Sequence, residues 1–279
     1  MIQDSITQVW VKIFGRKITP EKDSWLTGPI GHEDIIGDRF IELLKEKENA
    51  EVTRNETGSG ILNNIEDFHL SADDKQKLHP QIKDFYLHTT DYHFEIRSKW
   101  MGIFKPFGWL LTLFFSKRLQ QLNLPTNSSA IEKGVNSEII QIKKEGKTIW
   151  TIWLRKLRKT NDVVFSGIYT TIKNPLLQHH SIKVIFPLPN GNASVFMSIQ
   201  VKDDRSLLLS SDGKRFGENG FYFYLQDRKG RHWAKFVKVL HEWLHVYVDE
   251  QETLRADHSF RFYGINFLNL HYKMTLKSQ

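Results

Sequence analysis

Residues 91–100 read DYHFEIRSKW, and the hydrophobic pattern of the chain changes within this stretch. Tyr92, Phe94 and Ile96 alternate with polar residues at positions 93, 95 and 97. A period of two places every second side chain on the same face of an extended chain, which is typical of a half-buried β-strand. The stretch therefore predicts the start of a sheet.

Further strand-like segments follow downstream, separated by turn-forming residues rather than by long helices. They cover residues 137–144, 147–157, 162–172, 181–188, 193–201, 205–211, 220–227, 245–250, 254–264 and 266–274. The Asn190-Gly191 pair favours a two-residue type I′ hairpin. Many short strands without helical crossovers predict an antiparallel sheet that closes into a barrel, curves strongly or splits into a sandwich.

The chain upstream of this sheet has a helical pattern. Ile35, Ile36, Phe40, Ile41 and Leu44 recur at the spacing of an amphipathic helix. We therefore expect an α+β protein with two parts. Residues 1–90 would form a helical region packed on the sheet, and residues 91–279 an antiparallel β-barrel or strongly curved sheet with an amphipathic basic-aromatic insertion at 100–119.

Several quoted segments also carry a resemblance to a known family. They are LHPQIKDFY (78–86), LNLP (122–125), TIWLRKL (151–157), LRADHSFRFYG (254–264) and LHYKM (270–274). Their order resembles an uncharacterised bacterial family with a calycin-like, that is lipocalin-like, barrel, over about residues 78–275. The resemblance implies this architecture and no particular activity.

Composition limits the class of protein. The chain has 279 residues, no cysteine and a formal net charge of +7. Without cysteine it has no disulfide and no thiolate metal site. The first residues lack the pattern of a secretory signal peptide. We therefore expect a cytoplasmic protein.

The most apolar stretch, WMGIFKPFGWLLTLFF at 100–115, lies where no acidic residue occurs between Glu95 and Glu132. It is too short to span a bilayer, which needs about 20 apolar residues. One interpretation is a buried helix with basic ends. The other is contact with an anionic membrane surface, at the inner face of the membrane, because aromatic rings flanked by cations suit the lipid interface. The candidate membrane-contact residues are Lys105, Phe107, Trp109, Lys117 and Arg118.

The sequence HEWLH at 241–245 matches the H-E-x-x-H pattern of zinc metallopeptidases. That chemistry needs His241 and His245 on one face of a helix, with Glu242 as the base. The apolar residues from Trp233 to Leu244 follow a helical period, whereas residues 245–250 alternate. We expect a junction between a helix and a hairpin, without a metal or other cofactor; the alternative is a zinc-dependent hydrolase.

Strand phase identifies the candidate ligand-binding residues. Trp153 and Arg155 share one face of their strand, and His258 and Phe260 share the apolar face of theirs. Polar groups among aromatic residues inside a barrel would suit an amphiphilic ligand. The other interpretation is a core histidine satisfied by the backbone and an arginine that reaches the rim.

These observations predict a binding protein for a lipid-like or other hydrophobic small molecule that also contacts the membrane surface. We expect no specific nucleic-acid partner, because the basic run RKLRKTND at 155–162 is not interleaved with exposed aromatic residues. Two catalytic alternatives remain open. One is the zinc hydrolase, and the other is an isomerase or cyclase that acts on an apolar substrate inside the barrel.

Overall fold

A computed structural model of the chain describes residues 2–31, 38–101, 135–174 and 176–277. These residues are mostly strands of one sheet, in which every strand pairing is antiparallel. The 14 strands are β1 Arg16–Ile18, β2 Glu51–Arg54, β3 Tyr92–Trp100, β4 Val135–Lys144, β5 Lys147–Leu157, β6 Val163–Lys173, β7 His180–Leu188, β8 Gly191–Val201, β9 Leu207–Ser210, β10 Gly220–Gln226, β11 His232–Phe236, β12 Leu240–Val248, β13 Leu254–Phe262 and β14 Ile265–Leu276.

The order of the strands explains how the sheet forms an interior. The main path runs β2-β4-β5-β6-β7-β8-β9-β12-β13-β14-β3, and a branch runs from β8 through β10 and β11 to β1. β3, at one end of the path, lies beside β4, close to the other end. The sheet is therefore strongly curved. Its concave face surrounds the largest hydrophobic core of the described residues.

The described residues also form four α-helices, all upstream of β3. They are α1 Ile2–Phe14, α2 Phe40–Glu48, α3 Ala72–Lys77 and α4 Pro80–Leu87. The change to an extended chain predicted near residue 91 is confirmed, since β3 begins at Tyr92. The prediction of a large antiparallel sheet is likewise confirmed, and the predicted N-terminal helical region is seen in part.

Two parts of the sequence were predicted as helical but contain strands. The first 90 residues contribute β1, which pairs with β11, and β2, which pairs with β4. These strands have only three and four residues, too few to display an alternating pattern. In the second part, residues 233–244 belong to β11 and β12, separated by a short turn. The helix prediction was wrong here because the apolar residues of β11, the turn and β12 happen to recur at a spacing close to that of a helix.

The hairpin between β7 and β8 differs from the predicted type I′ turn. Leu188 pairs with Gly191, so Pro189 and Asn190 form the two-residue loop. Asn190 has a φ of 62°, and a proline followed by a residue of positive φ is the pattern of a type II turn. Gly191 is required for a different reason, because a Cβ there would lie 1.9 Å from the carbonyl oxygen of Tyr224.

The convex face of the sheet is covered by residues from the first part of the chain. Phe40, Ile41 and Leu44 of α2 pack on buried residues of β4–β7. Trp25 packs on β8 and β10, and its ring makes an edge contact with that of Phe196 at 5.0 Å between centroids. The sheet is therefore buried on both faces over much of its area.

Lys183 holds one of these covering segments. Its neighbours Ile182 and Val184 face the interior, whereas Lys183 faces the convex side and is 2% exposed. Its Nζ donates hydrogen bonds to the carbonyl oxygens of Trp25 (2.7 Å) and Thr27. Burial lowers the pKa of Lys183 to about 7 because it penalises the charged form.

We expect the free energy of unfolding to rise with pH between about 7 and 10.5 by roughly a few kcal/mol, through Lys183. In this interval the unfolded lysine binds a proton that the folded lysine has lost, so a higher pH favours the folded protein. Urea unfolding at pH 7 and pH 9.5 measures the effect. Lys183→Met should remove this rise, and Lys147→Met, at an exposed lysine of β5, should retain it. An equal rise in both variants would contradict the assignment.

Candidate functional site

The concave face of the sheet surrounds a cavity of about 120 Å³. Its lining comes from β3, β5–β10 and β12–β14, with Ile61 and two residues of α4, Phe85 and Tyr86. The lining is almost entirely aliphatic and aromatic. The ionisable exceptions, apart from tyrosine hydroxyls, are Arg155, Glu242 and His258. This cavity is the candidate functional site.

Arg155 lies on β5 at an irregularity of the sheet. The pairing with β6 shifts between Arg155 and Lys156, and a bulge of this kind re-aims the side chains beside it. The Arg155 side chain lines the cavity and is 7% exposed. Its Nε has no hydrogen-bond partner among the described residues.

Aromatic rings surround the Arg155 guanidinium. Its central carbon lies 3.7 Å from the ring centroid of Trp153, 5.0 Å from those of Phe94 and Phe165, and 5.4 Å from that of Tyr272. Such contacts stabilise a cation by about 0.5–2 kcal/mol each. Removing an ion from water costs several kcal/mol. Together the four rings offset much of the cost of burying Arg155, but its Nε–H still has no acceptor among the described residues.

The ring nearest to Arg155 is held in place by a hydrogen bond. Trp153 Nε1 donates to Ser137 Oγ on the neighbouring strand β4, at 2.7 Å. Ser137 lies directly opposite Arg155 in the register of β4 and β5. The bond fixes the indole plane against the guanidinium.

Glu242 and His258 form a hydrogen-bonded pair on the same cavity wall. Leu244 lies opposite His258 in the register of β12 and β13, so Glu242 reaches the imidazole along a diagonal. Glu242 Oε2 lies 2.9 Å from His258 Nε2, and their side chains are 7% and 16% exposed. The backbone N–H of Glu242 donates to Ser211 Oγ at 2.9 Å. The carboxylate is thus fixed at both its backbone and its head.

Arg155 and Glu242 both influence the pKa of two tyrosines that line the cavity, Tyr169 and Tyr272. Burial raises the pKa of Tyr169 and of Tyr272; the nearby Arg155 cation opposes both shifts, and the Glu242 carboxylate reinforces them. The two phenols therefore stay protonated near neutral pH. Each can donate a hydrogen bond to a ligand.

The candidate residues predicted from strand phase all lie on this cavity. Trp153, Arg155, His258 and Phe260 line it, and the ring centroids of His258 and Phe260 are 4.1 Å apart. Sequence reasoning assigned Glu242 only to the zinc alternative. The phase of β12 could have identified it, because Leu240, Glu242, Leu244 and Val246 share the face opposite His241 and His245.

The HEWLH stretch is a strand, not the end of a helix as predicted. His241 and His245 are four residues apart, which separates their Cα atoms by about 13 Å in a strand, and Glu242 points to the other face. Their rings have other neighbours: His241 Nδ1 lies 3.1 Å from the Ser211 carbonyl oxygen, and His245 Nε2 lies 2.8 Å from Ser206 Oγ. The helical arrangement that the zinc alternative requires is therefore not formed. Across the described ranges, no three histidine, aspartate or glutamate side chains cluster as a metal site would require.

The predicted membrane-contact residues Lys105, Phe107, Trp109, Lys117 and Arg118 lie outside the described residues. Within the part of the chain that the structure describes, the helices are too short or too polar to cross a bilayer.

We expect His258→Ala to lower the free energy of unfolding by about 3 kcal/mol, because it leaves the Glu242 carboxylate buried without its partner. His271→Ala is the matched control. His271 pairs with Asp257 on the solvent side, where both side chains are about half exposed, and its loss should cost less than about 1 kcal/mol. Urea unfolding of the two variants measures the difference. Equal losses would show that the Glu242–His258 contact has no special energetic weight.

Comparison with known proteins gives one distant relative. The chain is 25% identical over 241 residues to the "Uncharacterized membrane protein YndJ" of Bacillus subtilis (strain 168). The alignment covers 86% of this chain and 41% of that protein, so the chain spans about two fifths of the relative's length. No family model and no solved structure matches the chain. The function therefore has to be argued from the cavity.

Proposed function

We propose that the protein binds a hydrophobic small molecule in the cavity of the curved sheet. The observation that carries the proposal is the cavity itself, about 120 Å³ in volume and lined almost entirely by apolar side chains. A dry engineered cavity of about 150 Å³ with a similar lining binds benzene. The volume therefore suits a ligand whose buried part is about as large as one aromatic ring.

The proposal includes a calycin-like architecture for the sheet. Support comes from the path β4–β9 and β12–β14, which returns through β3 to the side of β4. Support also comes from the lining, to which strands from all along this path contribute. A barrel of this kind binds its ligand among inward-facing side chains.

The polar groups of the cavity would orient the ligand. Small-molecule sites usually contain a few polar groups among many apolar ones. Arg155 supplies a cation, Glu242 and His258 supply a hydrogen-bonded pair, and Tyr169 and Tyr272 supply protonated phenols. An amphiphilic ligand with its polar head at Arg155 satisfies this arrangement.

A second candidate function is favoured by the Glu242–His258 pair. A carboxylate and an imidazole at 2.9 Å inside an apolar cavity are suited to move a proton on a bound substrate. An isomerase acting on an apolar substrate would use the pair in this way. Nuclear magnetic resonance of a compound recovered after incubation distinguishes the two functions, because an isomerase changes the structure of the compound at constant mass, whereas a binding protein returns the compound unchanged.

Filling the cavity should weaken binding of an apolar probe. Ala256 is 4% exposed and lines the cavity, so Ala256→Leu should reduce its volume and weaken binding of toluene by roughly tenfold or more. Ser259→Leu, on the opposite face of β13, is the matched control and should bind as the unmodified protein does. Isothermal titration calorimetry measures the affinities. Unchanged binding by Ala256→Leu would refute the cavity as the site.

The proposal also includes contact between the protein and the anionic lipids at the inner face of a membrane. Apart from the sequence of residues 100–115, support comes from α1, where Val9, Ile13 and Phe14 are more than half exposed beside Lys12. The name of the distant relative describes that protein as a membrane protein.

We expect the protein to co-sediment with vesicles of anionic phospholipid at low salt and to dissociate as salt rises. Trp109→Ala and Lys105→Glu should each weaken this binding, because they remove an interfacial ring and reverse a charge. Vesicles of neutral phospholipid are the control. Binding that is insensitive to both substitutions would assign the contact to another surface.

A further inference from the structure

Arg155 is a buried cation without an ionic partner among the described residues. Its side chain is 7% exposed, and it belongs to none of the ion pairs formed by the described residues. The carboxylate that lines the same cavity, Glu242, has its Oε2 on His258 at 2.9 Å. The Tyr272 hydroxyl accepts a hydrogen bond from the guanidinium, and the rings of Trp153, Phe94 and Phe165 contact it through their π-systems; none of these side chains is an anion. The described residues therefore provide no anion to neutralise the charge of Arg155.

The unpaired atom indicates the shape of that anion. Nε of Arg155 has no hydrogen-bond partner among the described residues. In a guanidinium, the Nε–H lies parallel to one terminal N–H, and this edge matches two oxygens of one planar acid. The Trp153 ring covers a face of the guanidinium at 3.7 Å. A ligand thus has to approach in the plane, along the edge, as a carboxylate does.

Glu242 limits how much negative charge the ligand can carry. It lines the same cavity as Arg155. Both groups shift the pKa of Tyr169 and of Tyr272, Arg155 downward and Glu242 upward. Like charges repel strongly where water is excluded. One negative charge on the ligand is balanced by Arg155. A second one finds no other arginine and no lysine among the lining residues, and it faces the Glu242 carboxylate.

We infer that the cavity is a site for an apolar monocarboxylate. Its carboxylate binds the Nε edge of Arg155, its tail of about one ring fills the apolar part, and Glu242, held by His258, excludes a second negative charge. This inference rests on the proposed function and adds the chemical class of the ligand and the reason for its selection.

Three probes with the same tail and different heads test the inference: 3-phenylpropanoate, 3-phenylpropanol and 3-phenylpropyl phosphate. At pH 8 the first carries one negative charge, the second none, and the third close to two. Calorimetry with the full chain should rank the carboxylate first, with roughly tenfold weaker binding of the phosphate.

Substitutions at the two charged groups should have opposite effects. Arg155→Met should weaken binding of the carboxylate by roughly tenfold or more and leave binding of the alcohol within about threefold. Glu242→Gln should strengthen binding of the phosphate by roughly tenfold, because it removes the repelling charge. Arg97→Met and Glu95→Gln, at exposed positions of β3, are the matched controls and should change neither affinity.

Arg155→Lys guards against a folding artefact. It keeps the positive charge and removes the two-atom edge, so binding of the carboxylate should fall between that of the unmodified protein and that of Arg155→Met. Thermal unfolding by circular dichroism verifies that each variant is folded.

The outcomes separate the inference from the proposed function. If the alcohol binds as well as the carboxylate, and Arg155→Met affects both alike, the cavity binds apolar molecules and the inference is wrong. If the phosphate matches the carboxylate, the role of Glu242 is wrong. If none of the three probes binds, the proposed function itself fails.

Discussion

Burial of one antiparallel sheet on both of its faces governs the arrangement of the other parts of the protein. The concave face encloses the cavity, and α2 and the segment around Trp25 cover much of the convex face. Adjacent residues of a strand are then buried together, as Lys183 and Val184 are at 2% and 4% exposure. The polar residue of such a pair needs its own partners, which Lys183 finds in two backbone carbonyls. Loss of the covering segment would therefore expose apolar surface and leave an amine without acceptors.

The strands whose phase could be predicted from the sequence are those whose own side chains alternate. β3 and β13 have polar and apolar residues on opposite faces, so their presence and phase follow from a period of two. β1 and β2 could not be predicted, because three or four residues become strands through pairing with β11 and β4, which are distant in the chain. Pairing between distant segments leaves no periodic signal in a short strand.

The candidate site was predictable for the residues that stand out on an apolar face, Arg155 and His258. Glu242 was obscured because the H-E-x-x-H pattern has a different meaning in each secondary structure. In a helix, its two histidines and glutamate can serve one metal. In β12, consecutive side chains point to opposite faces, so the glutamate enters the cavity and the histidines remain outside. The backbone conformation, rather than the sequence motif alone, therefore determines which of these side chains lie on the same face.

The pairing of β3 with β14 has a consequence for the order of folding. Residues 92–100 form their ladder with residues 268–276, so this side of the sheet joins segments that emerge from the ribosome at widely separated times. Contacts between distant segments form slowly, because a long loop has to close before they become favourable. During synthesis, the edge of β3 that pairs with β14 lacks its partner until almost the whole sheet has been made. An exposed strand edge invites association with other chains, so the late pairing with β14 is the step that removes this hazard.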